Sequence, residues 1–420
     1  ANGKIPGEIT ISSSQQLWVL SAIVNSGAGG GTGADNAIKY NNDAYNYGRS
    51  RTGTYDNVGT SVSSDSGEAK DNTHWGGELT GQVSYLVSNY ASSNEAARIS
   101  SALSAAHSVE FKADCDMTAY GNGFRGIGTT YQDNQPADVM YDKNSGTNSG
   151  KLKTGIRNRT LWITGTVGSE NSTNLKITLA RNVKEYASEG NGGWWAQGIG
   201  LFPVVNFSAA TMVQNLTISG TSRISYFEVE KEKRDYIGEA SAGGFAGMTA
   251  NSSGADDVTF QNVKAENLKV TGSKYSGGFF GVIGQSSRTT SEKLDTVSTI
   301  VGAYTFNGCS YSGITVEGGY SAGGFVGTYK NDGKAMKVSG QTSLSASNIG
   351  WVKDACLEMY TVNQNANNAK MYGYSGGGGI VGYYYGGSMN VATEKDDRII
   401  LEGLYIYGPQ FAYNCDYGLG

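Results

Sequence analysis

The stretch at residues 267–281, NLKVTGSKYSGGFFG, decides the fold of this 420-residue chain. It recurs at 313–327 as GITVEGGYSAGGFVG, and the match extends upstream, so that residues 259–281 align with 305–327 at a constant offset of 46 without a gap. A register of this kind is typical of a structural repeat and not of a low-complexity segment. A unit of 46 residues divides into two turns of about 23, which is within the range of single-coil solenoid repeats.

One pattern within the repeat, [Asn/Gly]-[Leu/Ile]-x-[Ile/Val]-x-Gly, begins at Asn215, Asn267, Gly313 and Gly403. Asn and Gly are interchangeable mainly where the backbone is left-handed, so the first position predicts a corner. The two aliphatic residues lie two positions apart and therefore point to one face of a strand. We expect the first aliphatic residues of the copies to stack in one buried ladder: Leu216, Leu268, Ile314 and Leu404.

A second pattern, Gly-Gly-[Phe/Ile]-x-Gly, occurs at 243–247, 277–281, 323–327 and 378–382. Paired glycines allow the backbone to turn sharply beside a bulky side chain that fills the interior. The apolar members are predicted to form another buried ladder: Phe245, Phe279, Phe325 and Ile380. The intervals between these four residues are 34, 46 and 55, so loops of different lengths must project from certain corners.

Composition favours many short strands joined by tight turns. The chain has 62 Gly and 27 Tyr but only 4 Pro, and 16% of its residues are charged. Glycine supplies left-handed turn positions, while Tyr, Thr and Val fit a pleated surface. Disorder is the alternative explanation of the glycine content, but 11% aromatic residues and regularly spaced aliphatic residues supply material for a core.

Charge and hydropathy exclude two classes of partner. The net charge of −5 provides no basic stripe for phosphate backbones, so nucleic acid is not an expected partner. No apolar run approaches the roughly 20 residues of a membrane helix, so membrane insertion is not expected.

The first part of the chain differs from the rest. A short strand is predicted at 9–11, followed by a helix that Ser13 or Ser14 caps and that ends near Ser26. Residues 86–107 predict a second helix, with His107 at its end. We therefore divide the chain into an N-terminal capping region with helices and irregular loops, 1–149, and a repeat region, 150–420.

The glycine-rich motif also carries a resemblance to a known family. The chain resembles the GLUG-motif proteins, which are bacterial cell-surface and secreted polypeptides. The copies that carry the resemblance are 242–247, 276–281, 322–327 and, more weakly, 378–382. It implies an all-β fold, a right-handed parallel β-helix, with irregular loops and one or two short N-terminal helices in this chain. A β-sandwich array is the alternative, since short strands and turn signals fit both.

Residues with catalytic potential are few. Asp114 and Asp116 lie two apart on a predicted strand and would share a face, as paired carboxylates for acid–base work require. A turn-forming role explains them better, as it does the pairs at 256–257 and 396–397. The sequence therefore predicts no catalytic residues.

Candidate ligands for a metal or a cofactor are also few. His74 and His107 are the only histidines, which is too few for a histidine-rich metal site, and no HExxH sequence is present. Residues 142–148 space oxygen ligands like part of a calcium loop but lack a distal bidentate Glu. We predict no metal and no cofactor. Of the four scattered cysteines, Cys309 and Cys356 are 47 apart, about one repeat, and are predicted to lie close together.

Clustered aromatic residues are the best binding signal. Trp194 and Trp195, and the run Tyr383, Tyr384 and Tyr385, cannot all point inward on strands whose faces alternate. The outward rings can stack on sugars or on another protein, or they can cover neighbouring corners. The predicted partner is a host or microbial surface polymer or glycan, or further copies of the chain in a fibre.

The two ends of such a repeat are expected to differ. The helix near Leu17 can cap one end, whereas Tyr405, Tyr407, Phe411 and Tyr413 alternate near the other end with nothing to cover them. The sequence thus predicts a non-catalytic, extracellular bacterial surface module, either an adhesin stalk or a self-assembling fibre subunit. The alternative is a carbohydrate-active β-helix enzyme, a polysaccharide lyase or a glycoside hydrolase.

Overall fold

Strands dominate the computed structural model of the chain. It describes residues 8–26, 106–121, 124, 126–128, 161–186, 196–227, 239–249, 257–272, 275–286, 297–298, 302–331, 334–351, 376–386 and 388–407. The helix α1 (Ser14–Ser26) is the only helix within these ranges. The predicted all-β class is confirmed.

The strands are numbered in chain order. They are β1 (Glu8–Ile11), β2 (Ala106–Phe111), β3 (Cys115–Asp116), β4 (Trp162–Gly168), β5 (Leu175–Tyr186), β6 (Ala196–Ile199), β7 (Phe202–Gln214), β8 (Leu216–Phe227), β9 (Glu239–Gly243), β10 (Ala246–Thr249), β11 (Val258–Gln261), β12 (Lys264–Gly272), β13 (Tyr275–Gly277), β14 (Phe280–Ile283), β15 (Gln285–Ser286), β16 (Val297–Ser298), β17 (Tyr304–Asn307), β18 (Ser310–Ser312), β19 (Thr315–Gly318), β20 (Ser321–Gly323), β21 (Val326–Asn331), β22 (Met336–Ser339), β23 (Gln341–Trp351), β24 (Gly376–Gly378), β25 (Val381–Gly386), β26 (Met389–Val391) and β27 (Arg398–Tyr407).

Four rows of parallel strands make up the sheets. Row A runs β1-β2-β4-β7-β11-β17-β22-β26, and row D runs β7-β10-β14-β21-β25; the long strand β7 belongs to both and joins them into one sheet of 12 strands. Row B runs β3-β5-β8-β12-β19-β23-β27, with β18 beside β12 and β23, and row C runs β6-β9-β13-β20-β24. The short pair β15 and β16 is antiparallel. We call one run of the chain through rows A, B, C and D a pass.

The repeat of 46 residues is one pass. Thr259 lies opposite Thr305 in row A, Ser276 opposite Ala322 in row C, and Phe280 opposite Val326 in row D. The prediction of two turns of about 23 residues per unit is therefore wrong. The two sequence patterns of the repeat lie on different sides of the same pass, one in row B and the other between rows C and D.

Left-handed residues form two columns of corners. One column lies where row A turns into row B and contains Asn215, Asn262, Gly308, Gly340 and Ala392, with φ between 50° and 71°. The other divides row B and contains Asn267, Gly313, Ala346 and Gly403, with φ between 48° and 65°. The left-handed conformation predicted for the first position of the strand pattern is confirmed at all four copies.

The predicted aliphatic ladder contains one misplaced member. Leu216 pairs with Leu175 of β5, whereas the residue of β8 opposite Leu268 is Gly220. Leu268 and Ile314 are buried in neighbouring passes. In the pass after Ile314 the same position of the ladder is occupied by Ser347, which lies opposite Leu404. The same local sequence serves both columns of corners, so the pattern alone could not tell them apart.

The phenylalanine ladder lies in the main core. Phe245, Phe279 and Phe325 are all fully buried, and the rings of Phe279 and Phe325 are 4.9 Å apart. Their backbones form a hydrogen-bonded column as well, since Phe245 N donates to Phe279 O at 3.0 Å and Phe279 N to Phe325 O at 2.9 Å. The column ends at Ile380, which is half-buried and accepts from Phe325 N at 2.9 Å.

The helix α1 covers the N-terminal end of the core. Gln16 N donates to Ser13 Oγ at 3.3 Å and Ser12 N to Gln16 Oε1 at 2.7 Å, which is close to a capping box. Leu17 and Trp18 are buried in the main core. The predicted strand and helix are thus both present. Residues 86–105, predicted as helical, lie outside the described residues.

His107 lies in β2 and not at the end of a helix. Strand β2 pairs with β1 and β4, which places this segment in row A, upstream of the predicted repeat region. Pairing with β1 and β4 thus determines the structure of this segment, although the spacing of its alanines predicted a helix. A prediction from periodicity cannot include that contribution, because it comes from strands distant in sequence.

Candidate functional site

The terminal edge of row B is the candidate interaction surface. Strand β27 pairs along its whole length with β23, from Gln341 opposite Arg398 to Gly350 opposite Tyr407. No strand in the described part of the chain pairs with its other side. Its backbone therefore offers hydrogen-bonding groups to a further strand, a situation that favours association.

Core positions lie open along this edge. Leu401 lies opposite the fully buried Leu344, yet Leu401 itself is 64% exposed. Met389 of β26 lies opposite the fully buried Met336 and is 37% exposed. Positions that are buried in the preceding pass are thus exposed in β26 and β27, because no described strand covers them.

Large apolar side chains also lie on the outer face of the same strand. Ile400 is 52% exposed and Tyr405 is 65% exposed. The rings of Tyr405 and Tyr407 lie 5.6 Å apart, and burial raises the pKa of Tyr407, with Glu317 nearby adding to the effect. Tyr405 and Tyr407 were predicted from the sequence to lie at this end, whereas Ile400 and Leu401 were not. The unbroken run of Ile399, Ile400 and Leu401 was the available signal.

The opposite end of row B is covered in part, where β3 pairs with Ile177 and Thr178 of β5. Ser14 Oγ, at the start of α1, accepts from Asp116 N at 2.9 Å, so the helix supplies an acceptor to an edge group of β3. Ser21 Oγ of the same helix donates to Gly126 O. The helix near Leu17 thus lies at this end, as predicted, while Phe411 and Tyr413 at the other end lie outside the described residues.

The predicted aromatic binding residues are only partly within the described region. Trp194 and Trp195 lie outside it, as does the side chain of Tyr385. Tyr384 is half-buried, its ring stacks on Tyr329 at 5.0 Å, and its hydroxyl donates to Ser388 O at 2.7 Å.

Tyr383 points to the opposite face of β25 and is also half-buried. Its ring lies 6.1 Å from Tyr320, which in turn lies 5.4 Å from Tyr275. Tyr275 and Tyr320 belong to a small second hydrophobic cluster with Val204, Met248 and Val282. Both described tyrosines of the run thus pack on rings of the preceding pass, which favours the interpretation that they cover their neighbours.

The candidate carboxylates bind backbone amides. Asp114 accepts from Lys176 N at 2.8 Å, and Asp116 accepts from Thr118 N at 2.9 Å. Asp257 likewise accepts from Ala303 N at 2.9 Å. The contact of Asp116 closes a turn, whereas those of Asp114 and Asp257 join neighbouring passes.

Asp397 also binds backbone amides, in the last described pass. Its two carboxylate oxygens accept from Gly340 N at 2.6 Å and Glu394 N at 2.9 Å. These backbone hydrogen bonds lower the pKa of Asp397. Asp396 is exposed, while Asp256 lies outside the described residues.

One mixed polar cluster lies on the outer face of row B. Arg223 Nε donates to Thr271 Oγ1 at 3.0 Å, Thr271 Oγ1 donates to Glu317 Oε2 at 3.1 Å, and the Arg223 guanidinium lies 3.8 Å from that oxygen. A single carboxylate beside an arginine does not supply the two carboxyl groups that glycoside hydrolysis uses.

Metal-binding potential is equally limited. Within the described ranges, no three His, Cys, Asp or Glu side chains converge on a point where a metal ion could bind. The calcium-like segment 142–148 and His74 lie outside those ranges.

The two described cysteines are buried free thiols. Burial raises the pKa of Cys115 to about 11 and that of Cys309 to about 12. Cys356 lies outside the described residues, so its distance from Cys309 stays a prediction. A spacing of 47 does not match the pass that follows Cys309, because Asn307 lies opposite Ser339 and Tyr311 opposite Leu344, a pass of only 32 or 33 residues.

Comparison with known proteins yields no match to a family model, a curated protein or a solved structure. Within the described residues, no helix has the length and apolar character that crossing a membrane requires.

Proposed function

We propose that the chain is a right-handed parallel β-helix that acts as a non-catalytic, extracellular bacterial surface module, an adhesin stalk or a fibre subunit. The observation that carries the proposal is the contrast between the two ends of row B. One end is partly covered by β3 and α1, whereas at the other end Leu401 is 64% exposed on β27, whose second edge has no partner among the described strands. A stacked array of this kind needs a cap or a partner at each end.

The strand order supports the proposed helix. Each row contains strands from successive passes in sequence order, and every pairing between passes is parallel. Crossover connections between parallel strands of one sheet are right-handed in about 98% of cases. The resemblance of the glycine-rich motif to GLUG-motif proteins supports the bacterial, extracellular part of the proposal.

The described polar groups favour binding over catalysis. The carboxylates of Asp114, Asp116, Asp257 and Asp397 each accept from backbone amides, and none of these pairs with a second carboxylate across a cleft. A polymer or glycan, or a copy of the chain, is therefore the proposed partner.

The experiment compares the purified wild-type chain with Tyr405→Ser and with a matched control, Met212→Ser, which changes an exposed apolar residue of β7. We expect wild type and control to bind a polysaccharide on a glycan array or to associate in light scattering, and Tyr405→Ser to do so less. No loss of polysaccharide chain length is expected with any of the three. Cleavage that disappears in Asp114→Asn or Asp116→Asn would replace the proposal with the carbohydrate-active enzyme.

A further inference from the structure

The side of β27 that no described strand pairs with, its open side, has a defined set of hydrogen-bonding groups. Arg398 N donates to Gly340 O at 3.0 Å, so the peptide groups of Arg398 face the preceding pass. Successive residues of a strand direct these groups to opposite sides. Ile399 and Leu401 therefore direct their N–H and C=O groups to the open edge, and Ile400 does not.

The side chains on the outer face carry a self-complementary pattern. Arg398, Ile400 and Glu402 alternate along one face of β27 and are all exposed. If a second copy of the strand is laid antiparallel with Ile400 opposite its own counterpart, Arg398 lies opposite Glu402 of the second copy, and Glu402 opposite the second Arg398. Opposite charges on directly paired residues stabilise an antiparallel pair, and like charges destabilise it.

The backbone is compatible with this alignment, and the side chains distinguish it from registers shifted by two residues. With Ile400 at the centre, Ile399 lies opposite Leu401 of the second copy, and both have open N–H and C=O groups. Each such pair exchanges two N–H···O bonds, and twofold symmetry generates a second pair. Sliding the second strand by two residues would place Arg398 opposite an isoleucine or a leucine and would lose both ion pairs.

We propose that two copies of the chain associate tail to tail, with their β27 edges paired antiparallel about a twofold axis at Ile400. The inference rests on the proposed assembly function and names its partner as a second copy. A head-to-tail contact at β3 would have to displace Ser14 of α1, whose hydroxyl already accepts from Asp116 N at the other end of row B. An interface in which the same patch meets itself closes after two copies.

Exchanging the charges tests the pairing. Arg398→Glu gives a chain whose two charged edge positions are both acidic, and Glu402→Arg gives one in which both are basic. Analytical ultracentrifugation over a concentration series should show a dimer for wild type. Each variant alone should need about tenfold or more protein to dimerise. Lys395→Glu, in the exposed turn before β27, is the matched control and should dimerise like wild type.

Mixing gives the decisive result, because an Arg398→Glu chain opposite a Glu402→Arg chain restores both ion pairs. The mixture and the double variant Arg398→Glu/Glu402→Arg should dimerise near the wild-type concentration. A monomeric wild type, as expected if residues 408–420 of the same chain cover the edge, overturns the proposal. So do variants that dimerise like wild type, or a mixture no better than its components. Glycan binding measured on the same samples reports separately on the proposed function.

Discussion

A Cβ atom on Gly281 would lie 2.7 Å from the backbone nitrogen of Ala242, one pass earlier. The same contact recurs between Gly327 and Ser276 N, and between Gly382 and Ala322 N, each at 2.7 Å. Real Cβ atoms do not approach a backbone atom this closely. The third glycine of the motif therefore lets row D of one pass lie directly against row C of the pass before it.

Gly281→Ala is expected to destabilise the fold by about 1–3 kcal/mol, because an added methyl group in a fully packed site forces the backbone apart. The control is Gly379→Ala in the last copy of the motif, where the nearest atom to a new Cβ is Ile406 Cδ1 at 3.6 Å, an ordinary contact. Urea unfolding followed by circular dichroism measures both. Equal losses in the two variants would contradict the close contact at Gly281.

Phe279→Ala should cost about 3–5 kcal/mol of unfolding free energy, because it opens a cavity in the middle of the ring column. Its ring lies 4.9 Å from Phe325 and 6.0 Å from Phe306. Ile380→Ala, at the half-buried end of the column, should cost less. Thermal and urea unfolding of the two variants give the comparison, and a larger loss at Ile380 would reverse the assigned order of burial.

Ala346→Gly should stabilise the chain. Ala346 has φ of 48° in a column where Gly313 and Gly403 stand in neighbouring passes, and a left-handed alanine costs roughly 1–2 kcal/mol. A gain of about 1 kcal/mol is expected, measured as a raised urea midpoint. Ala210→Gly is the control: Ala210 is exposed in β7 and outside the left-handed region, so this change should lose about 0.5–1 kcal/mol.

Native Cys115 and Cys309 should resist alkylation at pH 8 and react on unfolding, because the neutral thiol is a poor nucleophile. The pKa of Cys309 rises from 9.0 to about 12 in the fold. The fold thus favours the protonated thiol, and this contribution is complete below about pH 9 and is lost as pH rises towards about 12. Cys309→Val, which introduces the residue present at Val263 one pass earlier, should reduce the alkaline fall in stability. Peptide-resolved mass spectrometry and melting curves at increasing pH check both points, and rapid native labelling of Cys309 would contradict its burial.

The sequence is sufficient to predict features that depend on neighbouring residues. The left-handed backbone at Asn267 and Gly313 follows from the residue types alone, and so does the start of α1 at Ser13 and Ser14. The burial of Phe279 follows from its place beside paired glycines. In each case the signal and its cause lie within a few positions of one another.

Features that depend on the number and length of passes could not be predicted in this way. Leu216 and Leu268 share a local pattern but occupy different columns, because the corner before Leu216 is the one between rows A and B. Leu401 has the same core position as Leu344, and only its place in the last described pass exposes it. Neither fact is encoded by residues nearby in the chain.

The varying length of the passes has a practical consequence. The strands keep their register whether a pass contains 32 residues, as from Asn307 to Ser339, or 55, as from Val326 to Val381. The entropic cost of lengthening a connection grows slowly, by about 0.6 kcal/mol for each doubling. A foreign peptide grafted in place of residues 352–375, between β23 and β24, should therefore leave the neighbouring strands aligned. The strands would in this respect serve as a display scaffold, because their register does not depend on the length of the segments between them.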